Sequence, residues 1–187
     1  MIDINKFKEN LQLEAIPVVL EKLIHFQNNT SAFECYSQGF GVYIDDWYGI
    51  KTWSEEEAFL NRVYPFAQAN CSGSFYTIWD DGTGKALDQM PIVVFGDEGG
   101  EHIVAENLLQ LLHLLTFDNE ISVSFDGVYF YKDDEDYEES EDLQKYLNWL
   151  KNDYNLEQVT NPDEIIEAAQ LNHKEAFDTW SKQYYAE

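Results

Sequence analysis

The spacing of hydrophobic residues along the chain changes repeatedly between the helical and the extended pattern. From Glu14 to Phe26 the apolar residues fall on one face of a helix, and Pro17 lies in its first turn, where proline is tolerated. The stretch from Ala32 to Ile44 instead has the pattern of two short strands joined near Gly39. The N-terminal part therefore predicts one helix followed by two strands.

A second helix is predicted to begin near Ser54. Ser54 and Glu57 have the spacing of a capping box, in which each side chain accepts a hydrogen bond from the backbone of the other residue. The helix is expected to end at Ala69-Asn70 and to pack against a sheet. The hydrophobic residues that recur at helical spacing are Phe59, Leu60, Val63, Phe66 and Ala67.

The middle of the chain contains three apolar stretches that are too short for helices. Ser74 to Trp79 predicts an aromatic strand, Ile92 to Phe95 a buried strand, and His102 to Val104 a short third strand. Turns rich in glycine, aspartate and other small residues separate the three stretches. A leucine-rich helix is predicted to begin directly after them, at residues 105–107.

The last third of the chain predicts a hairpin followed by two helices. From Ile121 to Tyr131, two alternating stretches flank Asp126-Gly127, a pair that suits a tight turn with positive φ angles. Ser140 is predicted to cap the first helix, and Asn161-Pro162 marks the start of a longer helix that runs to about Tyr184. The packing residues expected on these helices are Leu143, Tyr146, Leu147 and Leu150, then Ile165, Ala169, Phe177 and Trp180.

A set of residues in the middle of the chain occurs in a specific order. Its members are Ala69, Asn70, Gly73, Phe75, Tyr76 and Trp79, then Pro91, Gly96, Glu98, Gly99, Ala105, Glu106 and Asn107. This ordered set resembles the SUKH superfamily, the Smi/Knr-type domain of bacterial immunity proteins and fungal regulators of cell-wall synthesis. The resemblance is clear over residues 53–131. Cys71-Ser72 departs from it, because a glycine turn is frequent there.

Helices alternate with hairpins along the chain, without the repeated strand-helix-strand units of a parallel sheet. We therefore predict an α+β fold with a mainly antiparallel twisted sheet, packed helices and a C-terminal helical extension, and the SUKH resemblance implies the same architecture. The length of 187 residues suits one domain with an addition. The expected division is a SUKH-like domain over residues 1–154 and an extension over residues 155–187 that packs on it.

The chain is strongly acidic. It contains 36 Asp and Glu residues against 11 Lys and Arg, which gives a formal net charge of −25. Such a field repels nucleic-acid backbones and anionic lipid and attracts basic proteins. Arg62 is the only arginine, so no cluster of guanidinium groups is available for phosphate recognition. We expect neither direct nucleic-acid binding nor membrane binding, whereas the hydrophobic fraction of 44% allows a sizeable core.

Targeting signals and cysteine usage indicate a cytoplasmic location. The N-terminal segment has no basic stretch followed by an apolar run and a cleavage site, and no apolar stretch is long enough to span a bilayer. Cys35 and Cys71 lack the spacing of a redox or zinc motif. We interpret both as reduced, half-buried thiols, with a disulfide as the less favoured alternative.

Candidate catalytic groups occur only as fragments of known sites. Acid-base catalysis needs two carboxyl groups at a set separation in unlike environments, whereas adjacent acids on a turn usually point into solvent. Acidic turns beside core aromatic residues are therefore favoured over a glycosidase site. The groups that such a site would use are Asp45-Asp46, Asp80-Asp81 and Asp97-Glu98, with Trp47, Trp53 and Trp79 to stack on sugar rings.

Two further segments contain residue types found in metal or phosphate sites. Asp97 to His102 offers carboxylates and an imidazole but lacks the spacing of a calcium loop or a zinc protease, so a glycine-permitted turn is favoured. Gly82 to Lys85 lacks the spacing of a phosphate loop. We expect no catalytic residue, no metal and no cofactor, and hence a protein that is not an enzyme.

The SUKH resemblance implies an immunity protein, because members of the superfamily commonly bind a cognate toxin and block it. Many such toxins are basic, and an acidic partner would accelerate their encounter and hold them with aromatic anchors. We expect a monomer or weak homodimer whose partner is a basic toxin such as a nuclease. The candidate contact residues are Asp45, Asp46, Trp47 and Tyr48, Asp80 and Asp81, and Asp97 and Glu98.

Two alternatives from other classes stay open at this point. The fungal branch of the superfamily implies a regulatory or scaffolding protein, although this chain has no long low-complexity tail. The third possibility is a carbohydrate-active enzyme that uses the acidic and aromatic loops. The dense acidic run from Asp133 to Asp142 is interpreted as a solvated face or mobile loop rather than a dedicated binding site.

Overall fold

The computed structural model describes residues 1–43, 48–132 and 135–185. Its helices are α1 (Ile4–Asn10), α2 (Val18–Gln27), α3 (Tyr48–Lys51), α4 (Glu57–Leu60), α5 (Leu108–Leu114), α6 (Leu143–Tyr154) and α7 (Pro162–Ser181). Its strands are β1 (Gly41–Val42), β2 (Val63–Gln68), β3 (Phe75–Trp79), β4 (Ile92–Phe95), β5 (Glu101–Ala105), β6 (Ile121–Val123) and β7 (Val128–Phe130). The predicted α+β class is confirmed, because the helices accompany an antiparallel sheet.

Five strands form an antiparallel sheet in the order β1-β2-β3-β4-β5, so each strand pairs with its neighbour along the chain. The central strand β3 is buried over its whole length. Phe75 pairs with Phe95 at one end of the β3-β4 ladder, and Ile78 pairs with Ile92 at the other. The β2–β3 and β4–β5 turns therefore share one end of the sheet, and the β3–β4 connection lies at the opposite end.

The helix predicted from Ser54 is wrong beyond its first turn. α4 ends at Leu60, and the following residues form β2. Pro65 explains the change, because proline inside a helix removes a hydrogen bond and clashes with the preceding turn. The β-branched and aromatic neighbours of Pro65 suit a strand instead. The Ser54 hydroxyl accepts a hydrogen bond from the Glu56 N–H and makes no cap for α4.

Two predictions for the N-terminal part also need correction. α2 begins at Val18, later than predicted, and Pro17 precedes it as the N-cap residue. Only the second of the two strands expected between Ala32 and Ile44 is present in the described residues, as β1, and residues 31–39 form turns and bends. The side chains of Tyr36 and Phe40 are fully buried there, so the apolar spacing reflects core contacts rather than strand pairing.

The predicted hairpin is confirmed as β6 and β7, but its turn is shifted by one residue. The Ser124 N–H donates to the Gly127 carbonyl at 2.9 Å, which places Phe125 and Asp126 at the centre of the turn. Neither Asp126 nor Gly127 has a positive φ angle. The sequence pair Asp126-Gly127 therefore marks the hairpin correctly without forming the expected turn type.

The C-terminal helices follow the sequence pattern closely. α6 has Asp142 rather than Ser140 at its N-cap, because the Ser140 hydroxyl donates to the buried Asp118 carboxylate at 2.6 Å. The predicted start of α7 at Asn161-Pro162 is confirmed, and the helix ends at Ser181. The order of the predicted elements is thus retained in this part of the chain.

Helix α7 packs along β5 and contributes to the hydrophobic core. Trp180 stacks on Phe59 with ring centroids 5.3 Å apart, and Phe177 meets Trp79 edge-on at 5.1 Å. The guanidinium group of Arg62 lies 5.0 Å from the centroid of the Trp180 ring. Arg62 thus packs against the aromatic core of the fold, and the domain boundary at residue 154 stays a prediction.

Glutamine side chains from two helices cover the outer strands of the sheet. On β1, the Gln27 amide donates to the Val42 carbonyl and accepts from the Val42 N–H, both at 2.7 Å. On β5, the Gln170 amide donates to the Ile103 carbonyl at 3.2 Å. Unpaired backbone groups on outer strands are a template for pairing with another chain, and these side chains occupy three of them.

Asp142 makes the stability depend on pH in the acid range. Its carboxylate lies 2.5 Å from Lys145 Nζ and accepts the Ser31 N–H at 2.7 Å, and these partners hold the pKa of Asp142 well below its ordinary value of 3.8. A carboxyl group with a lowered pKa in the folded state stabilises the fold above its unfolded pKa. This contribution is lost as the pH falls below about 4.

We expect Asp142→Asn to lower the free energy of unfolding by about 2 kcal/mol at pH 7, because charge-assisted hydrogen bonds are replaced by neutral ones. The variant should also lose less of its stability than the native chain when the pH falls from about 5 to about 3. Urea unfolding at a series of pH values measures both effects. Asp136→Asn, at an exposed residue of the preceding segment, is the control, and equal acid slopes in the two variants would contradict the prediction.

Candidate functional site

The predicted contact residues do not gather on one surface. The pair Asp80-Asp81 follows β3, whereas the pair Asp97-Glu98 follows β4, which runs in the opposite direction. The two acidic pairs therefore lie at opposite ends of the sheet. Asp45, Asp46 and Trp47 lie outside the described residues. The backbone of Tyr48 begins α3, but the structure does not describe its side chain.

Asp80 and Asp81 belong to a locally bonded turn. Asp80 Oδ1 accepts the Gly82 N–H, and Asp81 Oδ1 accepts both the N–H and the hydroxyl of Thr83. Partial burial raises the pKa of Asp81, but the hydrogen bonds from Thr83 and the charges of Lys85 and His173 together lower it overall. Arg62 Nε donates to the Asp80 carbonyl at 2.7 Å. The turn is thus held by its own residues and by Arg62, and its role in partner binding stays a prediction.

An open cleft of about 770 Å³ lies at the end of the sheet that carries Asp97 and Glu98. The β2–β3 turn and the β4–β5 turn form one wall, and the β6-β7 hairpin forms the other. The polar residues that line it include Asn70, Ser72, Asp97, Glu98, Asn119 and Glu120. The cleft therefore joins one of the predicted acidic pairs to segments that lie far from it in sequence.

A hydrogen-bond network centred on Asn70 shapes the first wall of the cleft. Asn70 Oδ1 accepts the N–H groups of Gly73 and Ser74, and Asn70 Nδ2 donates to the Ile121 carbonyl at 3.0 Å. The Ser74 hydroxyl donates to Asp97 Oδ1 at 2.8 Å. These bonds connect both turns with the hairpin, so Asn70, singled out in the sequence as part of the SUKH-like order, positions the wall.

The hairpin rests on the glycines of the β4–β5 turn. A Cβ atom at Gly100 would lie 2.2 Å from the Ser124 carbonyl oxygen, and one at Gly99 would lie 2.4 Å from the Phe125 ring. Both glycines have positive φ angles, 88° and 102°. His102 Nε2 is 2.7 Å from the Ser124 carbonyl oxygen, which only accepts, so this nitrogen carries the proton. The glycines thus provide the flat surface on which the hairpin packs.

Three carboxylates line the cleft, those of Asp97, Glu98 and Glu120, and a fourth, that of Glu34, lies 3.9 Å from the Cys71 thiol beside it. Glu34 accepts a hydrogen bond from the Gln68 amide, and Glu120 accepts one from the Cys71 N–H. None of the four forms an ion pair with a lysine, arginine or histidine in the described residues, and the Glu98 carboxylate has no hydrogen-bond donor there. The mouth of the cleft therefore carries negative charge that the described part of the chain leaves unbalanced.

Glu34 and Glu120 are not among the predicted contact residues, because only long-range folding brings Glu120 to the cleft and Glu34 beside it. Glu34 has a left-handed backbone with a φ of 63°, which turns its side chain towards β2 and the following turn. Glu120 packs over Gly39, where a Cβ atom would meet its side chain at 2.8 Å. No local pattern marks either residue.

Cys71 shows what this environment does to a nucleophile. The thiol has a raised pKa, first because of partial burial and then because of the negative charges of Glu120 and Glu34. A thiol reacts as its thiolate, so a raised pKa makes it a poor nucleophile near neutral pH. Cys71 and Cys35 are both free thiols, and Cys71 is exposed while Cys35 is buried.

The outer face of the hairpin is aromatic and exposed. Tyr129 and Tyr131 stack on each other with centroids 6.1 Å apart and are 43% and 75% exposed, and Phe125 at the tip is 78% exposed. Tyr131 also lines the cleft. The alternation of residues along the strand indicates this exposure, because Val128 and Phe130 occupy the inner face and the tyrosines therefore lie on the outer face. An exposed aromatic patch beside a polar rim marks an interaction site.

The described part of the acidic run, residues 135–142, is fixed beside the cleft. The buried Asp118 carboxylate accepts the Tyr137 hydroxyl at 2.6 Å and the Ser140 N–H at 3.0 Å. Gln38, which lines the cleft, donates through its side chain to the Glu138 carbonyl and through its backbone to Asp118. A solvated face and a mobile loop are the two forms predicted for this run. These hydrogen bonds make its described end a solvated face next to the cleft.

Of the tryptophans considered for sugar stacking, Trp79 belongs to the core, Trp53 is partly buried against it, and Trp47 lies outside the described residues. Trp79 is 1% exposed, and Trp53 packs edge-on against Phe95 at 5.1 Å. The buried ring of Trp79 therefore has no face to offer a sugar. In the ranges that the structure describes, no group of three His, Cys, Asp or Glu residues is placed to hold a metal ion.

Comparisons with known proteins give no match for this chain. No family model, no curated protein and no solved structure matches it. Within the described residues, no helix is both long enough and apolar enough to cross a membrane.

Proposed function

We propose that this chain is a non-enzymatic protein-binding domain that acts as a bacterial immunity protein and neutralises a cognate basic toxin. One observation carries the proposal: the carboxylates that line the cleft form no ion pair within the described residues, and the edge of the cleft carries two stacked, exposed tyrosines. Unbalanced negative charge steers a basic partner, and exposed aromatic side chains anchor it. The SUKH-like order of residues supports the immunity role.

The arrangement favours binding over turnover. The exposed thiol at the cleft has a raised pKa, and the carboxylates of Asp97 and Glu120 accept hydrogen bonds from residues of the fold. Neither feature supplies an activated nucleophile or a general base. Inhibition by occlusion requires only a complementary surface, and a basic nuclease presents the positive surface that such a cleft complements.

The test is a pull-down with the product of the adjacent gene, at low and high salt. We expect stoichiometric capture of a basic toxin domain with loss of its activity, and weaker capture at high salt because exposed charges are screened. Glu98→Lys should reduce affinity at least about tenfold by reversing a charge at the interface. Glu175→Lys makes the same change on the exposed surface of α7 and should leave capture unchanged.

Equal capture by both variants would place the interface elsewhere on the acidic surface. Capture of a signalling or biosynthetic protein, with no toxin among the neighbouring gene products, would replace the immunity proposal with the regulatory alternative.

A further inference from the structure

The cleft offers three carboxylate oxygens that have no hydrogen-bond donor in the described residues. Asp97 uses Oδ1 for Ser72 and Ser74, which leaves Oδ2 without a donor in the described residues, as is the case for both oxygens of Glu98. A ligand that satisfies this site must donate several hydrogen bonds and carry positive charge.

The aromatic edge narrows the choice of ligand further. Tyr131 lines the cleft with most of its ring exposed, and its stacked partner Tyr129 holds it from one side. A guanidinium group is planar, carries five donors and no acceptor, and stacks on aromatic faces. An ammonium group has three donors around one strongly hydrated point charge and gains less from a flat ring.

We infer that the cleft binds an arginine side chain of the partner protein, with the guanidinium group stacked on Tyr131 and hydrogen-bonded to Glu98 and Asp97. This inference rests on the proposed function, because it names the residue of the basic partner that this surface recognises. The occupant is thus an arginine-bearing segment of a protein, and the acidic run beside Gln38 extends the favourable field around it.

The probes are hexa-arginine and hexa-lysine peptides, which carry equal charge, titrated into the full chain. Amide shifts in an NMR titration should map the hexa-arginine peptide to residues 96–99, 119–123 and 129–131. Hexa-arginine should bind about three- to fivefold more tightly than hexa-lysine at low salt, as expected for a guanidinium group stacked on an exposed ring. Equal affinities, or shifts spread over the whole acidic surface, would overturn the inference.

Two variants separate the aromatic from the ionic part of the site. Tyr131→Leu should abolish the preference for arginine, whereas Tyr131→Phe keeps the ring and should retain it. Glu98→Gln should weaken hexa-arginine binding about threefold, in the range of exposed charge pairs. Glu175→Gln removes the same charge from α7 and should change little. Retention of the full arginine preference in Tyr131→Leu would contradict the assigned geometry.

The peptide experiment and the pull-down fail independently. Arginine-selective binding at the cleft without capture of a toxin would support the arginine site and contradict the immunity role. Capture of a toxin that is unaffected by Tyr131→Leu and Glu98→Gln would support the immunity role and overturn the arginine site.

Discussion

Replacement of Asp118 by alanine is expected to lower the free energy of unfolding by about 3 kcal/mol. Asp118 is fully buried, and its carboxylate accepts four hydrogen bonds, from the Gln38 and Ser140 N–H groups and from the Tyr137 and Ser140 hydroxyls. Alanine leaves these donors without an acceptor and also disfavours the φ of 54° at this position. For a chain of this size, the loss corresponds to a fall in melting temperature of roughly 6 to 12 °C.

Thermal and urea unfolding measure this effect, and the matched control is Asp136→Ala. Asp136 is an exposed aspartate in the segment that Asp118 holds, so its replacement should change stability by less than about 0.5 kcal/mol. Asp118→Asn should give an intermediate loss, because asparagine tolerates the left-handed backbone but retains one acceptor oxygen. A loss in Asp118→Ala no larger than that in Asp136→Ala would show that water replaces the carboxylate without cost.

Gly100→Ala is expected to detach the hairpin from the sheet and to cost at least about 3 kcal/mol. The new Cβ atom would lie 2.2 Å from the Ser124 carbonyl oxygen, a contact that the backbone must move to relieve, and the φ of 88° disfavours any side chain. Faster amide hydrogen exchange over residues 121–130 would report the detachment, and urea unfolding would report the loss of stability.

Gly84→Ala separates the contact from the backbone conformation. Gly84 has a similar φ of 76°, but nothing lies within 4 Å of its Cβ position. The substitution should therefore cost only about 1 kcal/mol and leave hydrogen exchange in the hairpin unchanged. If the two variants are equally destabilised, the cause is the positive φ angle rather than the contact between residue 100 and the hairpin. Loss of hexa-arginine binding in Gly100→Ala but not in Gly84→Ala would show that the arginine site needs the hairpin packed on the β4–β5 turn.

Local signals in the sequence were sufficient for the elements whose neighbours in sequence are also their neighbours in space. Continuous apolar stretches between turn residues predicted β3 and β4, and alternation around Asp126-Gly127 predicted the hairpin. Asn161-Pro162 gave the start of α7. The helix expected after Ser54 ends at Leu60 although apolar residues continue at helical spacing, because Pro65 is incompatible with a helix interior.

The composition of the site depends on the topology of the sheet, which the spacing of residues along the sequence does not reveal. Asp97 and Glu98 were predicted as contacts, but the separation of Asp80-Asp81 from them follows from the antiparallel order of the sheet. The positions of Glu34 and Glu120 follow from a left-handed turn and from the packing of the hairpin. The exposure of the two tyrosines could have been predicted from the sequence, because the apolar residues that alternate with them in β7 face the core.

The glutamine side chains on the outer strands restrict how this surface can change over evolutionary time. Gln27 and Gln170 occupy three backbone groups of β1 and β5, so these strands offer a binding protein less main-chain pairing, which ignores side-chain identity. We therefore expect partner recognition to depend on the side chains of the turns and of the hairpin. Single substitutions there alter the choice of partner without disturbing the sheet, so closely related chains can diverge in specificity while sharing one scaffold.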